Sequence, residues 1–162
     1  MNLLLRMLWV LLTASRRKPL GVFDPSVLRF CVLPNDLDIY GHMNNGRYLT
    51  IMDLGRFDLL IRTGLAAAAR HHKWTPLVAG LKIRYRRSLT LGQRYTLTTR
   101  LAGWDEKWIF IEQQFESRGE LAAIALVRGI LRGRDGNIPT ARLLDLVGWK
   151  VPSPPLPPET FD

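Results

Sequence analysis

A single cysteine, Cys31, among 162 residues leaves no intrachain disulfide to be made, and a chain without one fits a reducing, cytoplasmic setting. Cys31 lies inside the apolar run Leu28 to Leu33, where a free thiol behaves as a small core residue, and no neighbouring base marks it as a nucleophile. Histidine is nearly as scarce. Only His42, His71 and His72 occur; the last two are adjacent, so on a helix they face different directions, and no second cysteine or helical histidine pair completes a metal site. No metal and no resident cofactor are expected. Gly-x-Ser-x-Gly, Gly-x-Gly-x-x-Gly and the Gly-x4-Gly-Lys-Ser/Thr phosphate loop are all missing, which removes the main support for a serine hydrolase or a dinucleotide enzyme. The apolar opening stretch is too short for the ~20 residues of a typical spanning helix, and Arg6 interrupts it. Acidic residues are outnumbered 14 to 23 by Lys and Arg, giving a formal charge of +9. Such a balance points to phosphates of a small molecule or to an anionic membrane surface. Nucleic acid is not expected, because no RNA- or DNA-binding signature accompanies the charge.

What is present fits one globular domain, with 47% hydrophobic residues in a chain long enough to bury a substantial core. Its organising stretch is Asn35 to Tyr48, Asn-Asp-Leu-Asp-Ile-Tyr-Gly-His-Met-Asn-Asn-Gly-Arg-Tyr. Pro34 stops the preceding apolar run by removing a backbone donor. Asn44 or Asn45 is suited to cap a helix that begins there. From Gly46 the spacing of Tyr48, Ile51, Met52 and Leu59, with Asp53/Arg56 and Asp58/Arg62 as helix neighbours, predicts that helix to about Thr63. Asp36 and Asp38 therefore stand just upstream of a helix N-terminus, whose first N–H groups have no intrahelical partner and can hold an oxyanion. A carboxylate there can serve as base or nucleophile; a capped helix with a solvated acidic loop is the alternative. Separated by one residue in an extended stretch, the two carboxylates point to opposite sides, so only one faces a substrate, and Asp36 is the one suited to brace the loop.

Around this stretch the expected elements are a strand over Val27 to Leu33 and a short helix from Leu65 to Lys73. Strands are expected over Leu77 to Leu89, Tyr95 to Leu101, Lys107 to Ser117 and Leu121 to Arg134, and a short helix over Pro139 to Val147. The order, one long helix and then successive antiparallel strands, is that of an α+β domain. Composition divides the chain into three parts: an apolar and basic segment with connector over 1–25, the domain proper over 26–148, and a Pro-rich extended tail over 149–162 with Pro152, Pro154, Pro155, Pro157 and Pro158. Lys82, Arg84 and Arg86 alternate, as do Arg128, Arg132 and Arg134, so each set falls on one strand face. They suit coenzyme phosphates or a membrane, or form a solvated outer face that discourages edge pairing. In residues 1–18, Arg6, Thr13 and Arg17 share one helical face opposite Leu4, Leu8, Leu11 and Leu12. That pattern fits a peripheral membrane anchor, and equally a helix docked on the domain or a partner subunit.

Asp-x-x-Gly-His-Met-Asn-Asn-x-x-Tyr, Asp38 to Tyr48 here, resembles the signature of the 4-hydroxybenzoyl-CoA thioesterase-like group of hotdog-fold acyl-CoA thioesterases. Asp36-Leu-Asp, Arg86-Arg-Ser-Leu and Gly103-Trp-Asp-Glu extend the likeness toward the thioesterase superfamily member 6-like branch, over roughly residues 28 to 135. The resemblance implies a hotdog fold, a long central helix wrapped by a curved antiparallel sheet, assembled as a homodimer or homotetramer with active sites between subunits. It implies hydrolysis of an acyl-coenzyme A thioester in lipid metabolism, coenzyme A being part of the substrate. By motif position Asp38 is the base or nucleophile and the Asn45 backbone N–H polarises the thioester carbonyl; Asp53 is the alternative carboxylate. His42, Asn44, Tyr48, Arg84 and Arg86 are candidate substrate contacts. Each has a plainer reading: His42 bonded to the loop, Asn44 a cap, Tyr48 packed, Asp53 paired with Arg56. Two other functions fit the same residues, a non-catalytic acyl-binding or membrane-docked module and a hotdog dehydratase.

Overall fold

The computed structural model describes residues 3–156; Met1, Asn2, Pro157 and Pro158 fall outside the described residues. A helix α1 (Leu3–Ala14) precedes strand β1 (Ser26–Cys31) and a single 3-10 turn at Pro34–Asp36. The long helix α2 (Asn45–Arg62) and the short α3 (Leu65–His71) come next. Then come β2 (Thr75–Tyr85), β3 (Arg94–Trp104), β4 (Ile109–Ser117), β5 (Glu120–Gly133), β6 (Gly136–Ile138) and α4 (Thr140–Leu146). The strands form one antiparallel sheet in the order β1-β3-β4-β5-β2, with β6 returning on β5. This curled sheet around α2 is the α+β hotdog architecture.

Alternation explains the inner face. Leu28 and Phe30 of β1, Tyr95, Leu97 and Leu101 of β3, Ile111 and Phe115 of β4, and Ala123, Ala125 and Val127 of β5 are buried at every second position. They meet Ile51, Met52, Leu54 and Leu59 of α2 in one core. Gly55 lets the helix come close to the sheet: a Cβ there would lie 2.3 Å from Thr99 Oγ1 and 2.9 Å from Leu97. Beneath it runs a buried polar chain in which Arg56 donates to Gln113 Oε1 (2.7 Å), and Gln113 Nε2 donates to Thr99 Oγ1 and to the Met52 carbonyl (both 2.9 Å). Every polar group on this inner path is thus satisfied.

Some boundaries differ from expectation for identifiable reasons. β2 starts at Thr75, through Pro76, because it is the sheet's edge and a missing N–H costs little there. It ends at Tyr85, not Leu89, where the N–H groups of Arg86 and Arg87 both turn to the Ala122 carbonyl. The three residues of β6, with a glycine at the first, carry too little pattern to be read. In α1 the polar side faces the domain: Arg6 and Val10 are buried, whereas Leu4, Leu5, Leu8, Leu11 and Leu12 face outward. Docking and an exposed apolar face, posed as alternatives, occur together on opposite sides of one helix.

Candidate active site

The site is built outward from Asp36. Its side chain, 1% exposed, accepts two bonds from Arg6 (3.0 and 2.7 Å) and one from the Leu33 N–H (2.9 Å), while its carbonyl accepts from the Asn44 N–H (2.8 Å). Arg6 also donates to the Cys31 carbonyl (3.0 Å), so α1 is strapped to the end of β1 and to the loop together. Asp36 is the brace, and Asp38, two residues on, is left half-buried at the surface. Asp38 Oδ1 accepts from the N–H groups of Tyr40 (2.9 Å) and His42 (3.3 Å), and its carbonyl accepts from Gly41 (3.1 Å). Gly41 closes this turn at φ +75°, a conformation that costs glycine nothing. The two backbone donors fix the direction of the Asp38 carboxylate.

The other wall is the start of α2. Asn44 is the N-cap, its Oδ1 accepting from the Gly46 N–H at 2.8 Å. Asn45 is the first helical residue, so its N–H has no intrahelical acceptor. Tyr85 at the end of β2 donates its hydroxyl to the Asn45 carbonyl (3.3 Å). Tyr48, 2% exposed, packs edge-on against Tyr85 and Phe115 with centroids 5.2 and 4.9 Å apart. Burial pushes the Tyr48 hydroxyl up to about 12. An exposed His42 is held by its backbone, bridged to Thr90 and bonded to Asp38. Asp38, His42, Asn44 and Asn45 are thus gathered at one helix end, with Tyr48 beneath as packing.

Asp53 stands apart, about 12 Å along α2 from Asn45 at 1.5 Å per residue. It pairs with Arg56, a residue 9% exposed whose pKa is lowered by burial against the opposing pull of Asp53. Both residues line a cavity of 630 Å³ walled by Phe57, Leu60, Trp74, Leu77, Ile130 and Trp149 among others. Its size and lining suit an apolar ligand body with one polar end. Arg84 belongs to the opposite sheet face, across from Ile124, and Arg86 lies just past the end of β2. Tyr85, the Arg6 strap and the cavity are the parts that residue spacing alone missed. A lone arginine in an apolar run and two isolated tryptophans were the available signals. Among the described residues no three His, Cys, Asp or Glu side chains cluster as metal ligands.

Residues 32–160 match the model of the thioesterase-like superfamily. The chain belongs to that family. Its class of chemistry is therefore thioester hydrolysis on a hotdog fold. Protein THEM6 of Danio rerio is 44% identical over 138 residues, covering 83% of this chain and 68% of that protein. The long-chain acyl-CoA thioesterase FadM of Escherichia coli is 31% identical over 93 residues, or 56% of this chain and 70% of that protein. In fold, the YbaW probable thioesterase of Escherichia coli superposes with a TM-score of 0.71 at 24% identity, over 76% of this chain and 96% of that one.

Proposed function

We propose that the protein hydrolyses acyl-coenzyme A thioesters to a carboxylic acid and free coenzyme A, at a site made by two copies of the chain. Asp38 either takes a proton from water that attacks the thioester carbonyl, or attacks the carbonyl itself to give an acyl-aspartyl anhydride that water then hydrolyses; in both routes the Asn45 N–H stabilises the oxyanion, the C–S bond breaks, and the thiolate leaves and takes up a proton. The similarity to a long-chain acyl-CoA thioesterase supports an acyl-CoA substrate. No group beyond the coenzyme in the substrate enters this scheme.

The observation that carries the two-copy site is the edge strand β2. Its Tyr85 end supports Asn45, while its Thr75–Val78 end lines the apolar cavity. The strand is exposed along most of its length, with Leu77 and Val78 at 42% and 51%. Two identical edges pairing antiparallel about a two-fold axis set the Tyr85 end of one against the Thr75 end of the other. The carboxylate loop of one copy then faces the acyl cavity of its partner, in a dimer or in a tetramer containing that dimer. Thiol release from short, medium and long acyl-CoA, measured beside the solution mass, tests this. Turnover that rises with chain length in an oligomer agrees; a fully active monomer contradicts it.

A second observation supports peripheral membrane association through residues 1–18. The outward leucines of α1 form an apolar face that ends at Arg16 and Lys18, both exposed. No helix among the described residues is long and apolar enough to cross a membrane. Deleting 1–18 should move the protein out of the membrane fraction; unchanged partitioning with the fold intact would contradict it.

A further inference from the structure

A groove of 750 Å³ opens on the side of the molecule away from β2, between α1 and the ends of β1, β3 and β4. Arg29, Arg94 and Arg118 line it, with Glu116 the one acidic residue on its wall. The sheet register makes the three cations neighbours. Arg29 and Arg94 are diagonal on the outward face, since Arg29 pairs with Thr96 and Cys31 with Arg94. The β3–β4 register ends at Thr96 against Glu116, and its next outward step carries Arg94 toward Arg118. None of the three has a side-chain hydrogen-bond or ion-pair partner among the described residues. Like charges set side by side on adjacent strands destabilise a sheet.

A further observation points to a ligand. Arg118 holds a left-handed backbone, φ +53°, ahead of Gly119 at φ +78°. A two-residue hairpin turn of this kind favours Asn or Gly at its first position, so a long cationic side chain is kept there at a conformational cost.

We infer that this groove binds a phosphate-bearing group, held by the guanidiniums of Arg29, Arg94 and Arg118. Paired guanidiniums match phosphate oxygens in charge and in donor geometry. Its position indicates the source. Trp9 of α1 forms one wall, stacked edge-on against Phe30 at 6.2 Å and 42% exposed, and the outward leucines of the same helix begin beside it. A bilayer that seats those leucines is therefore the source of phosphate the position favours. The phosphates of free coenzyme A are the other source of the same chemistry.

The test uses the full chain and compares Arg29→Gln/Arg94→Gln/Arg118→Gln with a charge-matched control, Arg132→Gln/Arg134→Gln/Lys150→Gln. Binding is read by flotation with phosphatidylcholine vesicles with and without phosphatidic acid, and by calorimetry with free coenzyme A. The groove variant should lose on the order of 10²-fold in affinity for the phosphatidic acid vesicles, and the control several-fold less. Loss of coenzyme A binding alone would keep the phosphate site and assign it to the nucleotide. The inference is overturned if the groove variant binds both probes like wild type, or if the control loses as much. Because the substitutions relieve repulsion, the groove variant should also melt no lower than wild type; a clear drop would mean the arginines hold the fold together instead.

Discussion

The two ends of α2 differ in almost every property that matters to chemistry. At its first turn the helix offers an N–H at Asn45 without an intrahelical acceptor, a cap at Asn44 and, through the loop before it, a half-buried carboxylate at Asp38 held by two backbone donors. Its second half offers apolar volume: Asp53 is tied to Arg56, and the surroundings are aromatic and aliphatic. One end can stabilise charge that develops during a reaction, and the other can hold a chain that does not react. A thioester needs both within reach of one carbonyl, and one copy of the chain keeps them about 12 Å apart along the helix axis. The proposed antiparallel pairing of two β2 edges would remove that separation by supplying each end from a different copy.

The contrast is broken most severely at Asp38. Asp38→Asn keeps the shape of the loop and removes the anion, so turnover should fall about 10²–10⁴-fold, roughly 3 to 5 kcal/mol in the barrier, with substrate affinity and unfolding midpoint little changed. Asp53→Asn, at the holding end, should stay within a few-fold of wild-type turnover. Steady-state kinetics on the two folded variants decide which end carries the chemistry.

Arg6→Leu acts on the support of the reactive end. It leaves the Asp36 carboxylate buried without its strongest partner, and breaking such a pair costs about 3 to 5 kcal/mol. Urea denaturation should show that loss, and the surviving folded protein should lose turnover through its slackened loop.

Alkaline titration addresses the packing beneath Asn45. Because burial raises the Tyr48 hydroxyl from 10.0 to about 12, the folded chain favours the neutral phenol. Its contribution is complete below pH 10 and is lost as pH rises through 12, roughly 2 to 3 kcal/mol in all. Melting temperatures across that window should fall, and Tyr48→Phe should make the fall shallower.

Ala66→Trp sharpens the other side of the comparison by filling the cavity that Ala66 lines. Long-chain acyl-CoA should lose about tenfold or more in kcat/KM, at about 0.8 kcal/mol for each methylene no longer buried, while short-chain turnover stays close to wild type. The smallest effect belongs to the cap: Asn44→Ala should cost about 1 kcal/mol in stability and leave turnover per folded molecule nearly unchanged.

The reactive end was far more legible than the holding end, and the reason lies in sequence distance. Asp36 to Tyr48 lie within one short stretch, where turn residues, a capping asparagine and helical spacing act on near neighbours. The bounds of α2 were readable to within a residue for that reason. The cavity instead collects Phe57, Trp74, Ile130 and Trp149 from four separate parts of the chain, and no local periodicity announces that they meet. The same holds for Arg6 and Asp36, thirty residues apart. Read alone, the α1 pattern gave its two faces correctly but not which of them was turned inward. That depended on a buried carboxylate that only the fold brings beneath Arg6. Likewise β2 reaches back through Pro76 because it is an edge, a property of the sheet's order and not of the strand's own residues.

Subunit complementation tests the two-copy site most directly. Asp38→Asn has a damaged loop and an intact cavity; Ala66→Trp has an intact loop and, for long acyl chains, a blocked cavity. If each site takes its loop from one copy and its cavity from the other, a mixed dimer contains one site with both parts intact. Unfolding and refolding the two variants together should then restore long-chain acyl-CoA hydrolysis to about a quarter of the wild-type rate, as random pairing under two-fold symmetry requires. If activity stays at the sum of the two separate variants while mixed dimers are present by native mass, the loop and the cavity belong to the same copy, and the account is wrong.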